Sequence, residues 1–125
     1  MMGNLLDPDL EFQDLDVDEL RVMVSRSGES VLRRGRAMME LGRRASRDAA
    51  LLQEVAQMIR APENRQLMTV GSTSISQLGT AGLVADGSET AVALAAELVG
   101  EWQRDEQSDF AWMMRSCGIT WARVT

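Results

Sequence analysis

The chain has 125 residues, 45% of them hydrophobic, and a net charge of −6, which is enough length for one domain with a real core but not for two. It holds no histidine, lysine or tyrosine and a single cysteine, Cys117. The usual general acids and bases, Schiff-base formers and zinc ligands are therefore missing, and so is any internal disulfide framework. A non-catalytic protein without cofactors, in a reducing compartment such as the cytoplasm, is the expectation.

The start, "MMGNLLDPDLEF", has neither a basic flank nor an apolar core of signal-peptide type, and no run reaches membrane-spanning length. Residues 1 to 15 alternate acid and hydrophobe in the manner of a docking arm. Residues 16 to 125 then read as a single helical domain. Asp16, with Glu19 three positions on, predicts an N-cap and capping box for a helix over about Val17–Arg26, with Gly28 as a left-handed stop. A second helix is predicted over Glu29–Arg44. Ser46 is the expected cap of a third, which packs Leu51, Leu52, Val55, Ala56, Met58 and Ile59 inward and ends before Pro62.

Glu63 to Gly82 is rich in glycine, hydroxyls and β-branched residues, yet Leu67, Gly71, Ile75, Leu78 and Gly82 recur at helical intervals. A helix is expected there, with a strand around Thr73–Ile75 as the rival. Ser88 caps the next predicted helix, "AVALAAELVGEW", whose nearly apolar sequence suggests the most buried element. Ser108 or Asp109 opens the last, "FAWMMRSCG". The fold class is all-α, with six short to medium helices. Trp102, Trp112 and Trp121 are expected to anchor the final pair, and an exposed one would be an interface hot spot.

Charge falls in three blocks. Residues 1–20 carry seven acids and no base; residues 21–65 carry ten arginines against five acids; residues 66–125 carry three arginines against seven acids. Either the ends attract the middle or a partner addresses one block.

"MELG", "SQLG" and "RSCG" close on Gly42, Gly79 and Gly118, and the candidate caps Ser46 and Ser88 are similarly spaced. A period near 40 residues with two helices per unit is that of helical solenoids. On Arg34, Ala37, Leu41 and Gly42, then Val70, Ser74 and Leu78–Gly79, and finally Cys117–Gly118, the chain resembles the HEAT and armadillo-like repeat family over roughly residues 17–118. Gly71 stands where the second unit's arginine would be. The resemblance implies a short α-solenoid of about three antiparallel helix pairs; an irregular six-helix bundle is the alternative. It also implies a concave wall made by the second helix of each pair. That wall would carry Arg33, Arg36 and Arg43 from the first unit, Thr69, Ser72, Ser76 and Thr80 from the second, and Trp112 and Arg115 from the third.

The expected function is a protein–protein interaction module, such as an adaptor, an inhibitor or an immunity-type protein, whose acidic arm suits a partner with a basic surface. Open solenoid ends would also permit a homodimer. The arginine cluster offers a rival reading, a binding domain for a phosphorylated ligand or nucleic acid. Net acidity and the lack of lysine and interleaved aromatics argue against nucleic acid. A non-catalytic subunit of an enzyme complex is a third reading. Glu97, Glu101 and Asp105, spaced by four, could hold a hard cation or simply form a solvated helix face.

Overall fold

The computed structural model describes residues 10–119 and 121. The first nine residues of the predicted acidic arm, Pro8 among them, lie outside the described residues. Among those described, the chain is mostly helical, with one small hairpin. In order, the elements are α1 (Leu10–Gln13), α2 (Val17–Ser25), α3 (Val31–Arg44), α4 (Ala49–Arg60), α5 (Pro62–Gln66), β1 (Met68–Val70), β2 (Thr73–Ser74), α6 (Ile75–Asp86), α7 (Glu89–Gly100) and α8 (Arg104–Ser116).

Helix starts follow local hydrogen-bond chemistry. The Asp16 carboxylate accepts from the Glu19 amide at 2.8 Å, and Glu19 reaches back to the Asp16 amide, completing the expected capping box of α2. Ser30 caps α3 by accepting from the Arg33 amide, and Ser88 caps α7 by accepting from the Ala91 amide. Three expectations change. Asp48, not Ser46, caps α4, because a 3-10 turn over Ala45–Arg47 carries the chain past the serine. Helix α2 ends at Ser25 with Arg26 extended, and Gly28 is not left-handed. Helix α8 opens at Arg104, with Gln103 and Glu106 forming its capping box, rather than at Ser108 or Asp109.

The largest departure from the expected helix lies between Glu63 and Gly82, where the rival strand around Thr73–Ile75 is met in part by β2, with Ile75 already in α6. Met68–Val70 and Thr73–Ser74 pair antiparallel around a two-residue turn, Gly71–Ser72. Gly71 has φ +55° and Ser72 does not have positive φ, the arrangement favoured in tight hairpins. Helix α6 then begins with its own capping box. Ser74 Oγ accepts from the Gln77 amide at 3.1 Å, and Gln77 Oε1 accepts from the Ser74 amide at 2.8 Å.

Helix α6, rather than α7, is the most buried element: every residue from Ile75 to Leu83 is buried. It shares the most extensive helix–helix contact in the molecule with α3, and α2, α4 and α7 also pack around this pair. Glycine makes the α3–α6 contact possible. A Cβ on Gly42 would lie 2.4 Å from the Gly79 carbonyl oxygen, and one on Gly82 would lie 2.1 Å from that of Met39. The two backbones touch, and side chains would force them apart. Gly42 and Gly79 are therefore not helix stops. Gly42 sits in the last turn of α3, Gly79 sits in the second turn of α6, and the two face each other. Of the three tags, only Gly118 follows a helix end with positive φ.

Met38, Met39, Leu41, Ile59, Ile75, Leu78 and Leu83 fill the centre. At the C-terminal side, Phe110 takes edge-on contacts from Trp102 at 5.5 Å and Trp121 at 5.3 Å. Two of the three tryptophans thus anchor α8.

Gly82→Ala should lower stability by about 2–3 kcal/mol in urea titration, because its methyl meets backbone that cannot rotate away. Gly100→Ala, with open space at the end of α7, should be neutral or stabilise by up to about 1 kcal/mol.

Candidate interaction surface

The arginines of the middle block are held largely by the protein's own acids. Arg33 donates through Nε to Glu29 at 2.8 Å and through Nη1 to both Glu11 oxygens, at 2.8 and 3.1 Å. Its guanidinium also sits 5.4 Å from the Phe12 ring centre. Arg21 forks onto Glu54 and meets Asp18. Arg60 forks onto Glu101 at 2.7 and 2.9 Å, with Glu97 at 3.7 Å, and Arg65 forks onto Glu106. Acids from both flanking blocks therefore close on the middle one. These partners hold the Glu11 and Glu101 carboxyls below the ordinary carboxylate range and raise the guanidinium pKa values of Arg33 and Arg60.

Asp86 shows two opposing effects. Burial pushes its carboxyl up, but hydrogen bonds from Ser88 and Ser46 and the charge of Arg47 outweigh this and leave it lowered. Ser46, displaced as a cap, thus serves as a donor to α6.

Arg44 is buried. It donates to Glu40 at 2.8 Å and to the carbonyls of Leu15, Phe12 and Gln13 at 2.6, 3.0 and 3.0 Å. One guanidinium thus satisfies the carbonyl end of α1 and holds it to the last turn of α3. Residues 10–15 of the predicted arm are accordingly an integral part of the fold, with Phe12 buried beneath them.

The structure separates the nine predicted surface residues. Ser76 and Thr80 are fully enclosed: Ser76 Oγ donates to the Ile59 carbonyl at 2.6 Å, and Thr80 Oγ1 donates to that of Ser76 at 2.8 Å. Their hydroxyls serve helix packing. Thr69 donates to the Thr73 carbonyl across the hairpin, and its methyl covers Gly35. Ser72 is exposed, but it lies in the turn and not on a helix with Ser76. Arg33 is tied to Glu11 and Glu29, Arg43 bonds Glu40 at 3.3 Å, and Arg36 is half-buried on α3. Trp112 and Arg115 are exposed together, one turn apart on α8, with Trp112 at 66% exposure.

The carboxylates Glu97, Glu101 and Asp105 do not share one helix. Glu97 is on α7, Glu101 caps its end beside Arg60, and Asp105 belongs to α8. Among the described residues no group of acids or thiols is arranged to hold a metal ion, and no buried side-chain polar atom lacks a hydrogen-bond partner. No helix there is long and apolar enough to cross a membrane. Two of the surface hollows adjoin α2. One, of about 560 Å³, runs between α2 and the end of α3, but its Arg21 and Arg44 are already bonded to the chain's own acids and carbonyls. The other, of about 350 Å³, lies along α2 and has an apolar floor.

The chain matches no protein-family model, no curated protein and no solved structure.

Replacing Arg44 by alanine leaves the Leu15 and Gln13 carbonyls without this donor and Glu40 with Arg43 alone, and should cost about 3 kcal/mol, measured by urea unfolding. Arg44→Lys should recover little, because a point ammonium cannot reproduce the fork. The pH dependence has a definite sign. The Glu11 and Glu101 carboxyls titrate lower when folded than unfolded, where the ordinary value is 4.5. Their contribution is present above that value and is lost as pH falls through the lowered folded value. The double variant Glu11→Gln, Glu101→Gln should therefore lose less stability than the wild type between neutral pH and about pH 3.5, read as the change in Tm.

Proposed function

We propose that this protein is a non-catalytic protein–protein interaction module of the adaptor, inhibitor or immunity type. The observation that carries the reading is Trp112, exposed at 66% beside exposed Arg115. Tryptophan and arginine are the residues most enriched at binding hot spots. A tryptophan two-thirds exposed adds little to its own fold, whereas Trp102 and Trp121 in the same region are used for packing. Met68 and Val70, on the outer side of β1, are about half exposed and add further apolar surface.

A repeat-like stack of the pairs α2–α3, α4–α6 and α7–α8 is the arrangement we favour for presenting this surface. Packing of α3 against α6 and of α4 against α7 is what neighbouring units would share. On this reading the wall is narrower than the sequence suggests, reduced to Ser72, Trp112 and Arg115 with the partly exposed edges of α3. A phosphate clamp by Arg33 and Arg43 is disfavoured, since carboxylates of the chain already occupy their donors. An acidic protein with these properties suits a partner of opposite charge.

Affinity capture from the native host, quantified by mass spectrometry, tests the reading. Trp112→Ala should reduce recovery of the captured partner at least tenfold (about 1.4 kcal/mol) and leave Tm unchanged. An empty capture, or a partner held equally by the variant, would count against it.

A further inference from the structure

The 350 Å³ hollow on α2 concerns a different helix from Trp112. Its floor is Leu15, Val22 and Met23; Asp18 and Glu19 stand at one end and Arg26 at the other. Val22 is 53% exposed in the middle of α2, where a β-branched residue gains neither helix propensity nor burial. Leu20 and Val24 on the same helix are buried and already supply its attachment to the core. Leu15 and Met23 pack partly against the core and show only an edge, so Val22 is the residue of the hollow that stands clear of it. The hollow's volume is at the small end for a cofactor pocket, and α2 is only nine residues long, about 13 Å at 1.5 Å per residue. Those dimensions suit the side-chain anchors of a short helix laid alongside.

Charge selects the occupant. Seven acids and no base fall within residues 1–20, and the two that line the hollow, Asp18 and Glu19, are exposed. Anionic lipid and nucleic acid are repelled by such a surface. A second copy of the chain would bring the same acid excess, with one Arg26 to face several carboxylates. We infer that this groove docks a basic amphipathic helix of a partner protein. Its apolar residues, at spacings of three and four, would lie on Leu15, Val22 and Met23. Its Lys or Arg residues would meet the carboxylate oxygens of Asp18 and Glu19 that Arg21 and the Asp16 amide do not use, and an acidic residue at its opposite end would meet Arg26. The inference rests on the interaction-module reading but assigns a separate surface.

The test is a display library of 16-residue helical peptides, with fixed leucines and randomised charged positions, selected on the immobilised full chain. The selected peptides should be net positive, with their bases concentrated at one end. In direct titration Val22→Glu and the milder Val22→Ser should weaken them at least tenfold and about threefold respectively. Asp18→Arg should weaken them and flatten their salt dependence, and Trp112→Ala should leave them bound. Circular dichroism of each variant checks that α2 persists. Neutral or acidic winners, winners insensitive to both Val22 variants, or no enrichment at all would overturn the inference. So would a dimer in sedimentation equilibrium that Val22→Glu converts to monomer, which would assign the groove to a second copy. Peptides lost on Trp112→Ala instead would also remove the groove, yet leave the module reading standing.

Discussion

Backbone contact between α3 and α6 sets the terms for the rest of the molecule. Two helices can approach this closely only where neither carries a side chain at the crossing, and Gly42, Gly79 and Gly82 meet that condition. The close approach encloses α6 from Ile75 to Leu83, which requires its polar residues to find partners inside. Ser76 and Thr80 do so on carbonyls one turn back or on α4, and Gln77 reaches the Glu106 carbonyl of α8 at 3.0 Å. A glycine- and hydroxyl-rich segment of weak intrinsic helicity is thus the helical centre, because tertiary enclosure outweighs local propensity.

Around that centre, electrostatics fastens the periphery. The acid–base–acid order of the chain becomes a set of forked pairs that tie the first and last blocks onto the middle. Exposed pairs of this kind contribute little individually. Arg44 differs, because it is buried with Glu40 and three backbone carbonyls, and a desolvated fork with all three nitrogens engaged specifies one geometry for the chain entering α2. Among the exposed apolar groups that this pairing leaves over are Val22 on α2 and Trp112 on α8.

Much of the helical framework was legible in the sequence because its signals are local. The Asp16–Glu19 box, the Ser88 cap and the apolar spacing of α4 each act within one or two turns. The hairpin has a local signal too, the Gly71–Ser72 dipeptide between β-branched residues before the strand expected near Thr73, but it competes with the three-and-four spacing of Leu67, Gly71 and Ile75. Gly42 and Gly79 misled for a different reason. A glycine near a helix end and a glycine at a helix crossing look identical in one dimension, and only the partner 37 residues away distinguishes them. The same holds for the candidate surface. Nothing local marks Ser76 as enclosed and Ser72 as exposed, since the distinction depends on where the hairpin ends.

The reach of Arg44 across the chain has a bearing on biosynthesis. Residues 10–15 are made well before the guanidinium that donates to their carbonyls, which follows about thirty positions later, and α3 itself lacks its close neighbour until α6 has been made. That segment is therefore among the last to settle. Glu11 likewise precedes Arg33, so their ion pair closes only once α3 has followed.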